Sequence, residues 1–127
     1  MSETIYRSVD IEDEVRSALA GRMTAYCRPL PADFVTPCIL VQSVGGGTDA
    51  TMTGKGKVDH FTVVLDARAA SAADADELVR TATAILEKSM AAQVNSLYSW
   101  GSDPVRPDLA MRSVTLLIHA HREKVSI

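Results

Sequence analysis

The sequence predicts an α+β fold, a mixed, mainly antiparallel sheet packed with two helices in the order α-β-β-β-α-β. Three observations carry that expectation. Phe61, Val63, Leu65 and Ala67 alternate with Thr62, Val64, Asp66 and Arg68, the period of two that puts successive side chains on opposite faces of a strand. Directly downstream, Ala75, Leu78, Val79, Ala82, Ile85 and Leu86 recur at steps of three and four, an apolar helical stripe from which Asp76, Glu77, Arg80, Glu87 and Lys88 are mostly turned away. Near the end of the sequence a second alternating run, Met111 to His121, sets Val114, Leu116, Ile118 and Ala120 against Thr115, Leu117, His119 and His121.

Taken in order, the chain first offers Ile11, Val15, Ala18 and Leu19 at helical spacing. Asp10, Glu12, Asp13 and Glu14 crowd the turn where the helix dipole favours acids, and Gly21 is available as a stop, so a helix covers roughly Val9 to Ala20. A short strand around Thr24 to Arg28 is ended by Pro29 and Pro31, which leave an irregular connection through Asp33 and Phe34. Pro37 introduces Cys38 to Val44, a run of β-favouring residues closed by Gly45, Gly46 and Gly47. Gly45 to Lys57 is rich in Gly and Thr and lacks apolar periodicity, so it reads as a long mobile loop at a hairpin tip, a length more often functional than accidental. Ser71, with Asp74 three residues on, caps the second helix. Ala91 to Trp100 is ambiguous, and the prolines of Ser102 to Met111 make a rigid polar connection into the last strand. Strand, helix and last strand in succession predict a right-handed crossover with parallel strands.

At 127 residues the chain has room for one core, and one domain spanning 1–127 is expected. The N-terminal stretch has no apolar segment with a cleavage site, and the longest apolar run, Val114 to Ile118, is strand-sized, which predicts neither signal peptide nor membrane span and a protein that stays in the cytoplasm where it is made. Thirteen Lys and Arg against sixteen Asp and Glu give a net charge of −3, without the basic footprint of a nucleic-acid binder. The two cysteines, Cys27 and Cys38, are too few and too far apart for a zinc site and are expected to pack as thiols.

Chemistry is thinly signalled. His60, His119 and His121 could in principle converge on a metal, but no carboxylate or cysteine beside them completes a ligand pattern, and they read better as surface or interface histidines. The glycine segment matches neither phosphate-binding signature, since Lys55 is followed by Gly56 rather than Ser or Thr. Nothing places Cys27 beside His60 as nucleophile and base. Asp66 and Arg68 are expected on the uncovered face of the sheet, paired across a subunit boundary. No enzyme, cofactor or metal is expected from these residues.

The order of elements and several particular stretches, DIEDEVRSALA, PCILVQSVGGG, VVLDARAASAADADELVRTATAILE, the DPVRPDLAM turn and SVTLLIHAH, resemble the tail terminator (tail completion) proteins of long-tailed bacteriophages and related prophage elements. The likeness covers Val9 to His121. It implies a structural virion subunit, present in the host cytoplasm during assembly and then in the neck of the tail. Such a subunit closes into a ring, typically a hexamer, on the head-proximal end of the tail tube, where it stops polymerisation and presents a surface for head joining. Its implied partners are copies of itself, the major tail tube protein and a head-completion or connector protein, with DNA passing the lumen without specific binding and no membrane involved. On that reading the candidate interface residues are Gly45, Gly46, Gly47, Lys55, Lys57, Asp66, Arg68, Asp103, Arg106 and Asp108. The alternatives are another neck protein, for head closure or connection, and a small metal- or ligand-binding α+β enzyme using the three histidines.

Overall fold

The computed structural model describes residues 3–49 and 58–127. Its elements are β1 (Thr4–Arg7), α1 (Ile11–Leu19), β2 (Ala25–Cys27), β3 (Cys38–Asp49), β4 (Val58–Ala69), α2 (Ala72–Met90), β5 (Gln93–Ser102), β6 (Ala110–His121) and β7 (Glu123–Ser126). Both helices start where their caps direct. Asp10 accepts from the Asp13 amide and Ser71 from the Asp74 amide, so each satisfies a donor that the first turn leaves free. After α1 the chain turns away at Gly21, whose φ of +84° suits glycine, whereas α2 ends on Ala91 in the left-handed region at φ 51°.

The fold is α+β, as the sequence predicts, with additional strands. One sheet has the order β2-β3-β4-β6-β5, in which β2 runs parallel to β3 and all other neighbours are antiparallel. Val63, Leu65 and Ala67 of β4 and Val114, Leu116 and Ile118 of β6 form the floor of the core, and Ile11, Val15 and Leu19 of α1 with Val79, Ala82 and Leu86 of α2 close it from above. Both amphipathic stripes therefore lie on one face of the sheet, and the periodicities that revealed them are the periodicities of burial. Cys38 is fully buried on the other side of β3, opposite Arg68, and Cys27 is half-buried, both as free thiols. Among the described residues no helix is long and apolar enough to cross a membrane.

Three expectations are corrected. The stretch from Gln93 to Ser102 is a strand, not an ambiguous connection, and two register irregularities, at Val94/Ser96 and Tyr98/Trp100, explain why no period of two shows in its sequence. Because β5 reverses the chain, the last long strand β6 pairs antiparallel with β4 rather than parallel to it. The strand that runs in the same direction as β4 is β5, one position further out, with β6 inserted between them. Finally, Gly45 to Asp49 belong to β3 and pair with Thr62 to Val58 of β4, so the hairpin is longer than its β-favouring residues suggest; residues 50–57, with Lys55 and Lys57, lie outside the described residues. A separate ribbon of β1 and β7 pairs Thr4 with Ser126 and Arg7 with Glu123.

Candidate assembly surface

The glycine half of β3 is an edge. Strand β2 pairs only with Ile39 to Val41, and among the described residues no strand lies on the outer side of β3 from Val44 to Thr48. A clamp marks where the covered part ends. Glu12 of α1 accepts from the Ser43 amide at 3.0 Å and from Arg28 Nη2 at 2.6 Å, while Arg28 donates to the Ser43 carbonyl at 3.1 Å. Both main-chain groups of Ser43 are thus taken by side chains. Burial pushes the Glu12 carboxyl up, but its bonds to Arg28 and Ser43 outweigh that and hold it below the usual carboxylate range. Immediately beyond, Val44 is the extra residue of a bulge between Ser43 and Gly45, and its side chain is 56% exposed.

The glycines themselves have separable reasons. A Cβ on Gly46, whose φ is +157°, would sit 2.3 Å from the His60 carbonyl oxygen, and one on Gly47 would meet His60 Nε2 at 2.9 Å. Gly45 has open space around it. So Gly46 and Gly47 permit close backbone and imidazole approach to β4, whereas Gly45 only shapes the rim. His60 in turn lies beside His119 across the β4/β6 pairing, ring centroids 6.0 Å apart and tilted by 55°. His121, opposite Val58, is exposed two residues further along, and no three His, Cys, Asp or Glu among the described residues are grouped to hold a metal ion.

At the other end of this sheet face the expectation for Asp66 and Arg68 is corrected. Neither stands on an uncovered surface. Asp66 accepts from Gln42 Nε2 on β3 and from Ser113 Oγ on β6, so its oxygens are used by the strands on either side. Arg68 Nε donates to Asp103 Oδ2 at 2.7 Å, with both side chains buried. Asp103 also accepts from the Val105 amide at 2.8 Å and the Arg106 amide at 3.2 Å, which folds the Pro104 turn over the sheet. Burial pushes the Asp103 carboxyl up, but the Arg68 and backbone donors outweigh it and hold it low. Arg106 lies over the Phe34 ring, 5.5 Å from its centroid, and its Nη2 is 3.3 Å from the exposed Asp108. The structure therefore brings Arg68, Asp103 and Arg106 into one cluster, and places Gly45 to Gly47 on the edge of the hairpin's far end.

One polar centre escaped the sequence reading. Asp59 is buried on the helix-bearing face of β4, where it accepts from Ser8 Oγ at 2.5 Å, Thr48 Oγ1 at 2.7 Å and Arg122 Nε at 3.3 Å. Burial pushes this carboxyl up as well, and the Ser8 and Thr48 hydroxyls with the Arg122 charge more than reverse it. The available signal was phase: Asp59 is in register with Phe61 and Val63, and a charge on the core side of a strand must be partnered. Compared with known proteins, the chain matches no family model and no curated sequence.

Proposed function

We propose that this protein is a structural subunit of a phage tail or related particle, capping the head-proximal end of the tail tube as a ring, ending tube growth and offering the surface for head joining. The observation that carries the reading is the outer edge of β3 from Val44 to Thr48, which no strand among the described residues covers, next to the Glu12–Arg28 clamp that closes the edge at Ser43. Strand edges in free subunits are normally short, charged or covered, because open N–H and C=O groups recruit other strands. An edge shielded up to one residue and then open suits a contact made in an assembly. A heterologous contact of this kind closes into a ring when its rotation allows. Around it the buried polar groups are consumed by holding the fold: Asp59 ties the hairpin to Ser8 and Arg122, Asp66 bridges β3 and β6, and Asp103 fixes its own turn. The sequence likeness to tail terminators supplies the identity of the assembly, with the tube protein and a head-completion or connector protein as the other partners. No catalytic step is part of this proposal.

Deleting the gene from its phage tests the reading in electron micrographs of the lysate. The expected picture is filled heads without tails and tubes of irregular, often excessive length. Normally joined tails of wild-type length in the deletion strain would overturn it.

A further inference from the structure

The cluster around Arg68 has a feature that holding the fold does not use. Its guanidinium spends Nε on Asp103, while Nη1 is buried without any acceptor among the described residues. Only 9% of the Arg68 side chain is exposed, so water cannot easily make up the deficit. Arg68 also forms part of the wall of a cleft of 450 Å³ between the Leu30–Phe34 segment and the Pro104–Arg106 turn. Most of the remaining lining is apolar, from Leu30, Pro31, Phe34, Pro104 and Val105, with Arg106 as a second cation. Asp103 contributes little negative potential to the cleft, since Arg68 and two backbone amides already hold it.

We infer that this cleft is a docking socket for an acidic side chain carried on an apolar stretch of a partner polypeptide, the carboxylate meeting Arg68 and the apolar neighbours covering the rim. The first half of the inference comes from the orphaned donor alone, since Arg106 already has Asp108 at 3.3 Å: a carboxylate is the acceptor that matches a buried guanidinium with a free N–H. Because Nη1 is covered, the Arg68 side chain must turn toward the cleft for the incoming oxygen to reach it. The second half comes from the rim. Val105 is 86% exposed at the rim, and a small molecule confined to the cleft would leave much of it in water. A chain segment would cover it, which favours a polypeptide over a free organic acid. The inference concerns this cleft alone and stands whether or not the subunit closes rings.

The test is a titration of the isotope-labelled protein with three probes: the blocked tripeptide Val-Glu-Val, its Val-Gln-Val counterpart, and isobutyrate. The readout is the Arg68 Nε–H resonance together with the Val105 and Arg106 amides. The glutamate peptide is expected to shift all three saturably at concentrations up to about 10 mM, the glutamine peptide to bind at least about tenfold more weakly, the loss of one charge-assisted contact, and isobutyrate to be weaker than the glutamate peptide by a similar factor. Val105→Asp, at an exposed position away from the core, is expected to keep the spectrum of the folded protein and lose the peptide response. Absence of a saturable shift, equal binding of the two peptides, or an undiminished response in Val105→Asp overturns the socket; isobutyrate binding as tightly as the glutamate peptide overturns the polypeptide occupant.

Discussion

A carboxylate on the core side of a sheet is tolerated only when donors replace the water it loses, and Asp59 has Ser8, Thr48 and Arg122 for that purpose. Its folded pKa is depressed, so the stability it contributes is complete above its unfolded value of about 4 and drains away as the pH falls through the lower, folded value. Glu12 and Asp103 are shifted in the same direction and add to the same acid limb. Asp59→Asn should therefore lower stability at neutral pH by about 1–3 kcal/mol and leave a shallower decline below pH 4, as measured by urea unfolding across pH; an unchanged acid slope would count against this account of Asp59. The glycines offer a sharper contrast. Gly46→Ala drives a methyl group into the His60 carbonyl and should cost about 1–3 kcal/mol, while Gly45→Ala, with space around it, should stay within about 0.5 kcal/mol in the same measurement. How legible these residues were depends on whether the information is local. Asp59's phase along its strand is local, and Ser71 could be read as a cap from its neighbours alone, whereas Asp10, read among the first-turn acids of a helix from Val9, is the cap of a helix that starts at Ile11. That Arg68 meets Asp103, thirty-five positions away, depends on a turn folding over the sheet, and no pattern in either stretch encodes it.

Elements were readable in proportion to the regularity of their burial. Helix α2 buries Ala75, Val79, Ala82 and Leu86 along one stripe, and β4 and β6 keep their core faces without interruption, so period and packing coincide. Strand β5 breaks step twice, and β1 and β7 are four residues each and stable only through a partner from the far end of the chain, so neither left a periodic trace. Gly45 to Gly47 of β3 have no side chains to favour a strand; their strand geometry comes from the ladder with β4. Since α2 is the main lid over the sheet, Leu86→Ala should cost about 2–5 kcal/mol, with loss of cooperativity in thermal unfolding followed by circular dichroism. Ser71→Ala, which removes only the cap, should cost about 1 kcal/mol, and a loss as large as that of Leu86→Ala would mean that the cap, rather than the buried stripe, holds the helix in place.

At the scale of the whole molecule, the open edge of β3 and the clamp at Ser43 make a prediction that separates assembly from folding. Val44→Lys places a charge on the exposed bulge, the device by which sheet edges resist pairing, and should leave the unfolding midpoint nearly unchanged. Sedimentation with tube protein should then show rings for the wild type and free subunits for the variant; equal ring formation would move the contact to another surface. The order β2-β3-β4-β6-β5 also carries a consequence for the cell that makes this chain. The partner of β4's inner edge is β6, which ends at His121, so the hairpin and α2 leave the ribosome well before the strand that completes the sheet. At about 5–20 residues per second, the nascent chain spends a few seconds with Val63 and Leu65 roofed by helices but with a strand edge unpaired alongside. Translational pausing between Met90 and Val114 lengthens that window, so synonymous codons in this interval, silent in the finished protein, should govern how much of it emerges soluble.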